Sequence, residues 1–182
     1  PGSPTSVAPG SSTTVRITLT NDSATPLTGV NFSNLVPNPA VGNTLVSLDG
    51  TYQISGSAGC AGTLSVTAGS GTLSLSGMTV PAKTASAAVC YIDVPVKAVS
   101  NTGSASTVSY SLLGGAVADA GGDTNFTGGS QNFTISAVSP PTWAKSFASG
   151  TAVLGGSNVN LTLTVSNPST GVDLTGVDFE DV

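Results

Sequence analysis

The sequence predicts an all-β protein, and three observations carry that expectation. Apolar and polar residues alternate through much of the 182-residue chain, the period that sends successive side chains to opposite faces of a strand. Gly, Pro, Asn and Ser gather between the alternating stretches, where they favour turns. No stretch shows a convincing helical stripe. The clearest strand runs through Thr13, Val15, Ile17 and Leu19 on one face and Thr14, Arg16 and Thr18 on the other. Asn21, Asp22 and Ser23, with Pro26 nearby, mark a turn before alternation resumes over residues 27–32. Further strands are expected over 44–48, 52–55, 63–67, 72–77, 88–96, 104–112 and 131–137, about nine in all. The clearest inward sets are Leu73 with Leu75, and Cys90 with Ile92, Val94 and Val96, separated by a turn at Val80, Pro81, Ala82 and Lys83. Many short strands with such turns predict an immunoglobulin-like β-sandwich. The antibody hallmark is absent, because the single Trp143 lies outside the segment between Cys60 and Cys90.

Composition narrows the function classes. Only 7% of residues are charged and the net charge is -5, so the surface is expected to be hydrated by hydroxyls and amides. The cations are Arg16, Lys83, Lys97 and Lys145, too few to form a patch for phosphates or anionic lipid, and nucleic acid is not expected as a partner. No apolar run reaches the length of a membrane span, so no membrane insertion by this segment is expected. The opening residues lack the charged start and apolar block of a signal peptide, so any export signal is expected upstream or removed. Cys60 and Cys90 occur in a chain with no histidine, which removes the commonest zinc arrangements. A disulfide is the favoured reading and implies an oxidising compartment. Two buried free thiols are the alternative.

An internal repeat sets the domain organisation. Residues 6–35 align with residues 152–182 with one single-residue gap. Val7 falls on Val153 and Gly10 on Gly156, while Val15, Ile17 and Leu19 fall on Leu161, Leu163 and Val165. Asn21 meets Asn167, Leu-Thr-Gly-Val at 27–30 recurs at 174–177, and Phe32 meets Phe179. The period is about 146 residues. Residues 1–139 therefore read as a first immunoglobulin-like repeat lacking its first strand, 140–142 as a proline-rich joint, and 143–182 as the N-terminal strands of a second repeat. Pro140 and Pro141 stiffen the connection and cannot donate to a ladder.

The residues resemble the immunoglobulin-like conserved repeats found in tandem in large secreted and surface proteins of bacteria. The likeness rests on the opening pattern from Lys145 to the Leu-Thr-Gly-Val stretch, seen again from Val7, and on Cys-x-Gly-Thr-Leu at 60–64. It rests also on Leu-Ser-Gly-x-x-Val-Pro-Ala at 75–82 and Cys-x-Ile-x-Val at 90–94. Ala88 and Val89 depart from the Gly-Ser that often precedes the second cysteine, and Pro95 interrupts the following strand, which predicts an edge or a bulge there. The resemblance implies an extracellular spacer or fibre-forming module, with adhesion or surface display as the usual role and no catalytic residues to carry over.

Candidate sites are few. Hydrolysis needs a nucleophile with a base or a facing carboxylate pair, whereas the chain has no histidine and a single glutamate, Glu180, so no enzyme and no cofactor are expected. Asp119, Asp123 and Asn125 stand in a glycine-rich stretch that could offer oxygens to calcium, but a plain solvated turn is the favoured reading. Asp178, Glu180 and Asp181 form a second acidic cluster that alternation on a strand would split between faces. Some surface immunoglobulin-like modules join a first-strand lysine to an Asn or Asp by an isopeptide bond, which makes Lys145 a candidate. The bland alternative is a solvated charge. The expected function is a structural repeat stacked head to tail in an extracellular surface fibre, filament or adhesin stalk, with other copies of the repeat as partners, in tandem or as a homopolymer. The rival is a ligand-binding module whose loops at 36–44 or 118–129 recognise a carbohydrate or host protein.

Overall fold

Strands form where alternating sequence finds a ladder partner. The computed structural model describes residues 6–39, 43–100, 103–122, 126–148, 155–156, 159–169, 172–178 and 180. Among these residues the elements are β1 (Ser6–Val7), β2 (Ser12–Asn21), β3 (Leu27–Leu35), β4 (Pro37–Asn38), β5 (Thr44–Ser47), β6 (Gln53–Gly56), β7 (Ala61–Val66) and β8 (Leu73–Val80). They continue with β9 (Ala88–Val99), β10 (Ser106–Leu112), β11 (Gly129–Ile135), β12 (Thr142–Phe147) and β13 (Leu161–Ser166). The chain is all-β, with several sheets and no closed barrel, an arrangement that fits a β-sandwich. The nine expected strands correspond to β2, β3 and β5 to β11. β12 and β13 fall in the segment 143–182, where strands were expected, with β12 starting one residue earlier, at Thr142; β1 and β4 have no counterpart in the expectation, because they are dipeptides too short for any periodicity.

The sheets share one core. β9 pairs with β2 along one edge and with β5 and β6 along the other. β3, β8 and β7 form a second sheet, and β1, β11, β10 and β4 a third. A bridge between Asn31 and Ala118 fastens the segment after β10 beside β3. Val15 and Ile17 of β2, Ile92 and Val94 of β9, and Phe133 of β11 all belong to a single buried cluster. That cluster also takes Phe32 from β3 and Leu75 and Met78 from β8, so apolar burial holds the three sheets together. Gly29 has φ +63, and a side-chain carbon there would stand 2.8 Å from the Ala120 methyl. Only glycine combines that left-handed backbone with so close an approach.

Pro95 corrects one expectation. It lies in the middle of the central strand β9, opposite Thr14 of β2, rather than on an edge. The second edge of β9 is shared: β6 covers Cys90 to Asp93 and β5 covers Val96 to Val99. The missing N–H of Pro95 falls where the ladder passes from one partner to the other, so no hydrogen bond is lost by it. The Pro95 carbonyl still accepts from Leu48 N at 3.0 Å.

Tyr110 ties β10 to the opposite side of the core. Its hydroxyl donates to the Gly71 carbonyl at 3.0 Å and lies 3.5 Å from the Leu45 carbonyl. Burial pushes its pKa above the ordinary tyrosine value. The fold therefore keeps the neutral phenol, and the stability it supplies is complete below roughly pH 10 and lost as pH rises further. Tyr110→Phe is expected to lower the unfolding free energy by about 1–2 kcal/mol at neutral pH. It should also flatten the alkaline fall in stability, as read by urea denaturation at stepped pH. An alkaline slope identical in the two proteins would show that Tyr110 does not set it.

Candidate functional site

Three features stand out at the molecular surface: a disulfide-bound loop, an asparagine-centred turn that occurs twice, and a groove along β2. Cys60 precedes β7 and Cys90 sits buried in β9, and the two are bonded with Cα atoms 5.7 Å apart. The loop carrying Cys60 is also held to β9 by hydrogen bonds. Ser57 N donates to the Val89 carbonyl at 2.8 Å, and Val89 N donates to the Ser57 hydroxyl at 3.0 Å. Gly56, with φ +118, lies so close to β9 that a side chain there would run into the Val89 carbonyl. The disulfide fits an oxidising compartment.

Asn21 is 2% exposed, and its side chain ties the β2–β3 turn to the end of β8. Its Oδ1 accepts from Ser23 N at 2.9 Å, while Nδ2 donates to the carbonyls of Thr25 at 2.8 Å and Pro81 at 2.9 Å. Asn167, its counterpart in the sequence repeat, builds the same turn: Oδ1 accepts from Ser169 N at 2.9 Å, and Nδ2 donates to the Val172 carbonyl at 2.7 Å. The acceptor moves from four residues downstream to five, which places the single-residue gap of the alignment inside this turn. Beyond it, Gly29 and Gly176 have φ of 63° and 64°. Val153 and Phe179, two other matched positions, lie outside the described residues.

The strand matched to β2 in sequence is β13, which among the described residues pairs only with β12, Trp143 opposite Val165 and Phe147 opposite Leu161. Both strands of this hairpin are exposed along their whole length. Residues 172–178 form no strand, which corrects the expectation that Asp178 and Glu180 alternate on one; Asp181 lies outside the described residues. β3 forms against β8, whereas among the described residues no strand pairs with residues 172–178.

A groove of about 640 Å³ follows the other edge of β2 from Val15 to Thr20, walled across by Gly129, Ser130 and Gln131 of β11 with Leu112 and Phe126. Among the described residues β9 is the only strand paired with β2, and the outward Arg16 N–H donates instead to the Gln131 side-chain oxygen at 3.2 Å. The Arg16 guanidinium grips Asp93 with two hydrogen bonds of 2.7 and 2.6 Å and lies 4.8 Å from the Tyr91 ring centre. This pair is exposed, so it orients side chains more than it stabilises. The groove brings apolar side chains together with hydroxyl and amide groups, a lining that suits an extended chain.

Of the remaining candidates, Asp119 and Lys145 are not among the residues that line the groove. The Asp119 carboxylate accepts from Gly121 N at 2.9 Å within its own turn; Asp123 and Asn125 lie outside the described residues. No group of three His, Cys, Asp or Glu residues able to hold a metal occurs among the described residues. Lys145 is exposed on β12 opposite Leu163. No helix among the described residues is long and apolar enough to cross a membrane. In comparisons with known proteins, no family model, curated sequence or solved structure matches the chain.

Two outcomes are expected. Replacing both Cys60 and Cys90 by alanine should cost about 3–4 kcal/mol of unfolding free energy on the chain-entropy estimate for a loop of this length, measured by guanidinium denaturation without reductant. Asn21→Ala should cost about 1–3 kcal/mol by removing the hydrogen bonds of a buried side chain and leaving the partly buried carbonyls it served unpaired, whereas Asn167→Ala, in an exposed turn, should leave the main unfolding transition unchanged in the same assay.

Proposed function

We propose that the chain is a structural module of immunoglobulin-like type, repeated head to tail in an extracellular bacterial surface fibre, filament or adhesin stalk, with no enzymatic role. The observation that carries this reading is the turn built twice, at Asn21 and at Asn167, with Oδ1 accepting from the N–H two residues on in both and a left-handed glycine after each. One sequence pattern making one local structure at an interval of about 146 residues supports two copies of one unit. The exposed hairpin supports it further. Trp143 is 58% and Phe147 59% exposed, and Leu161, Leu163 and Val165 share their face through cross-strand pairing. A face with that much apolar surface is half of a core. The disulfide and the low charge density suit a durable extracellular rod, and Pro140 and Pro141 limit bending between units.

Completing the second copy tests the reading. A chain in which residues 36–139 follow Val182 supplies the missing partners of β13. It is expected to form a second internal disulfide by non-reducing mass analysis, to shift the emission of its one tryptophan, Trp143, to shorter wavelength, and to appear in electron micrographs as two equal beads. Solvent-exposed tryptophan emission together with a protease-sensitive second half would refute it.

A further inference from the structure

The groove beside β2 and the hairpin β12–β13 fit each other through the repeat. β13 is the copy of β2, and β13 carries β12 on one edge; β2 carries a groove on the edge away from β9. We propose that this groove is a strand-acceptor site and that its occupant is the β12 segment of a second copy of the chain, added antiparallel to β2. The proposal rests on the reading of the two segments as copies of one unit.

Transferring the β12–β13 register to β2 sets each contact. Trp143 falls opposite Leu19, Lys145 opposite Ile17 and Phe147 opposite Val15, while Thr142, Ala144 and Ser146 fall opposite Thr20, Thr18 and Arg16. Directly opposed residues share a face of the sheet. Val15, Ile17 and Leu19 face the core, so Trp143 and Phe147 enter the groove and their exposed area is removed from water. The outward Arg16 N–H passes from Gln131 to the incoming backbone, and the released Gln131 oxygen is placed to accept from the Lys145 ammonium, whose stem lies between the two aromatics. The ladder β12 gives up on β13 is replaced strand for strand on β2, and burial of the two aromatic side chains is the gain.

The chain's own β12 does not reach the groove, so a β12 segment that fills it comes from another copy. Val7 pairs with Ile135 and only four residues separate Val7 from Ser12, so β11 ends at the Ser12 end of β2. Thr142 would have to lie at the Thr20 end, roughly 26 Å away at strand spacing. The linker of residues 136–141 reaches roughly 24 Å fully extended and would have to reverse direction as well. Donor and acceptor surfaces therefore differ, the contact is head to tail, and it propagates as a linear series rather than closing as a twofold dimer.

The test uses the full chain, refolded from denaturant at rising concentration so that β12 can choose its partner. Sedimentation is expected to show a ladder of linear oligomers, with the Trp143 emission moving to shorter wavelength as they form. Phe147→Asp should remain monomeric. Mixing Thr18→Cys chains with Ala144→Cys chains should give a disulfide-linked pair between molecules, at least tenfold more than Arg16→Cys with Ala144→Cys, two residues out of register. A monomer at every concentration, or a dimer formed without the Thr18–Ala144 crosslink, overturns the proposal. A labelled synthetic peptide of residues 140–148 separates the two levels. If it binds the chain while the chains do not bind one another, exchange between copies fails and the repeat reading stands. If the peptide does not bind either, the equivalence of β2 and β13 fails with it.

Discussion

The strand β9 is the constraint on which the rest of the structure depends. Its twelve residues alternate buried and half-buried with one exception at the end, and it is paired along both edges. Three separate segments, β2, β5 and β6, take their register from it, and Cys90 anchors the loop before β7 to it by a covalent bond. A strand hydrogen-bonded on both sides leaves neither edge open to slip, and burial of every second residue penalises a one-residue shift by turning the whole apolar set outward. Pro95 is tolerated there because the partner changes at that point.

The contrast between the two copies of one sequence pattern is a lesson in what a ladder contributes. β2 and β13 have closely similar alternation, yet β2 is half buried in a core and β13 is exposed throughout. Residues 27–35 are a strand because β8 lies beside them, and the matched residues 174–178 are not. A backbone extended without a partner gains nothing over one hydrogen-bonded to water, and an isolated two-stranded hairpin is marginal. What survives in the second copy is what depends on neighbours along the chain: the asparagine turn and the left-handed glycine.

Much of this was legible in the residues. Alternation located nine strands and their inward sets, since burial on one face imposes period two. Cys60 and Cys90 were a pair in waiting in a chain without histidine, and the Leu-Thr-Gly-Val stretch occurs twice. The two-residue strands β1 and β4 were not legible, because a dipeptide has no period. The groove was invisible for a different reason: its walls come from residues 15–20 and 126–131, segments with no local pattern in common.

By itself, then, the sequence determined the class of structure, the faces of its longer strands, its turns and its internal period, all of which are set by interactions among residues close along the chain. Only the tertiary structure decided which strand holds two edges and which distant segments wall the groove beside β2. Those outcomes depend on which distant segments are present to supply hydrogen bonds and apolar cover, and periodicity within a segment carries no record of its partner.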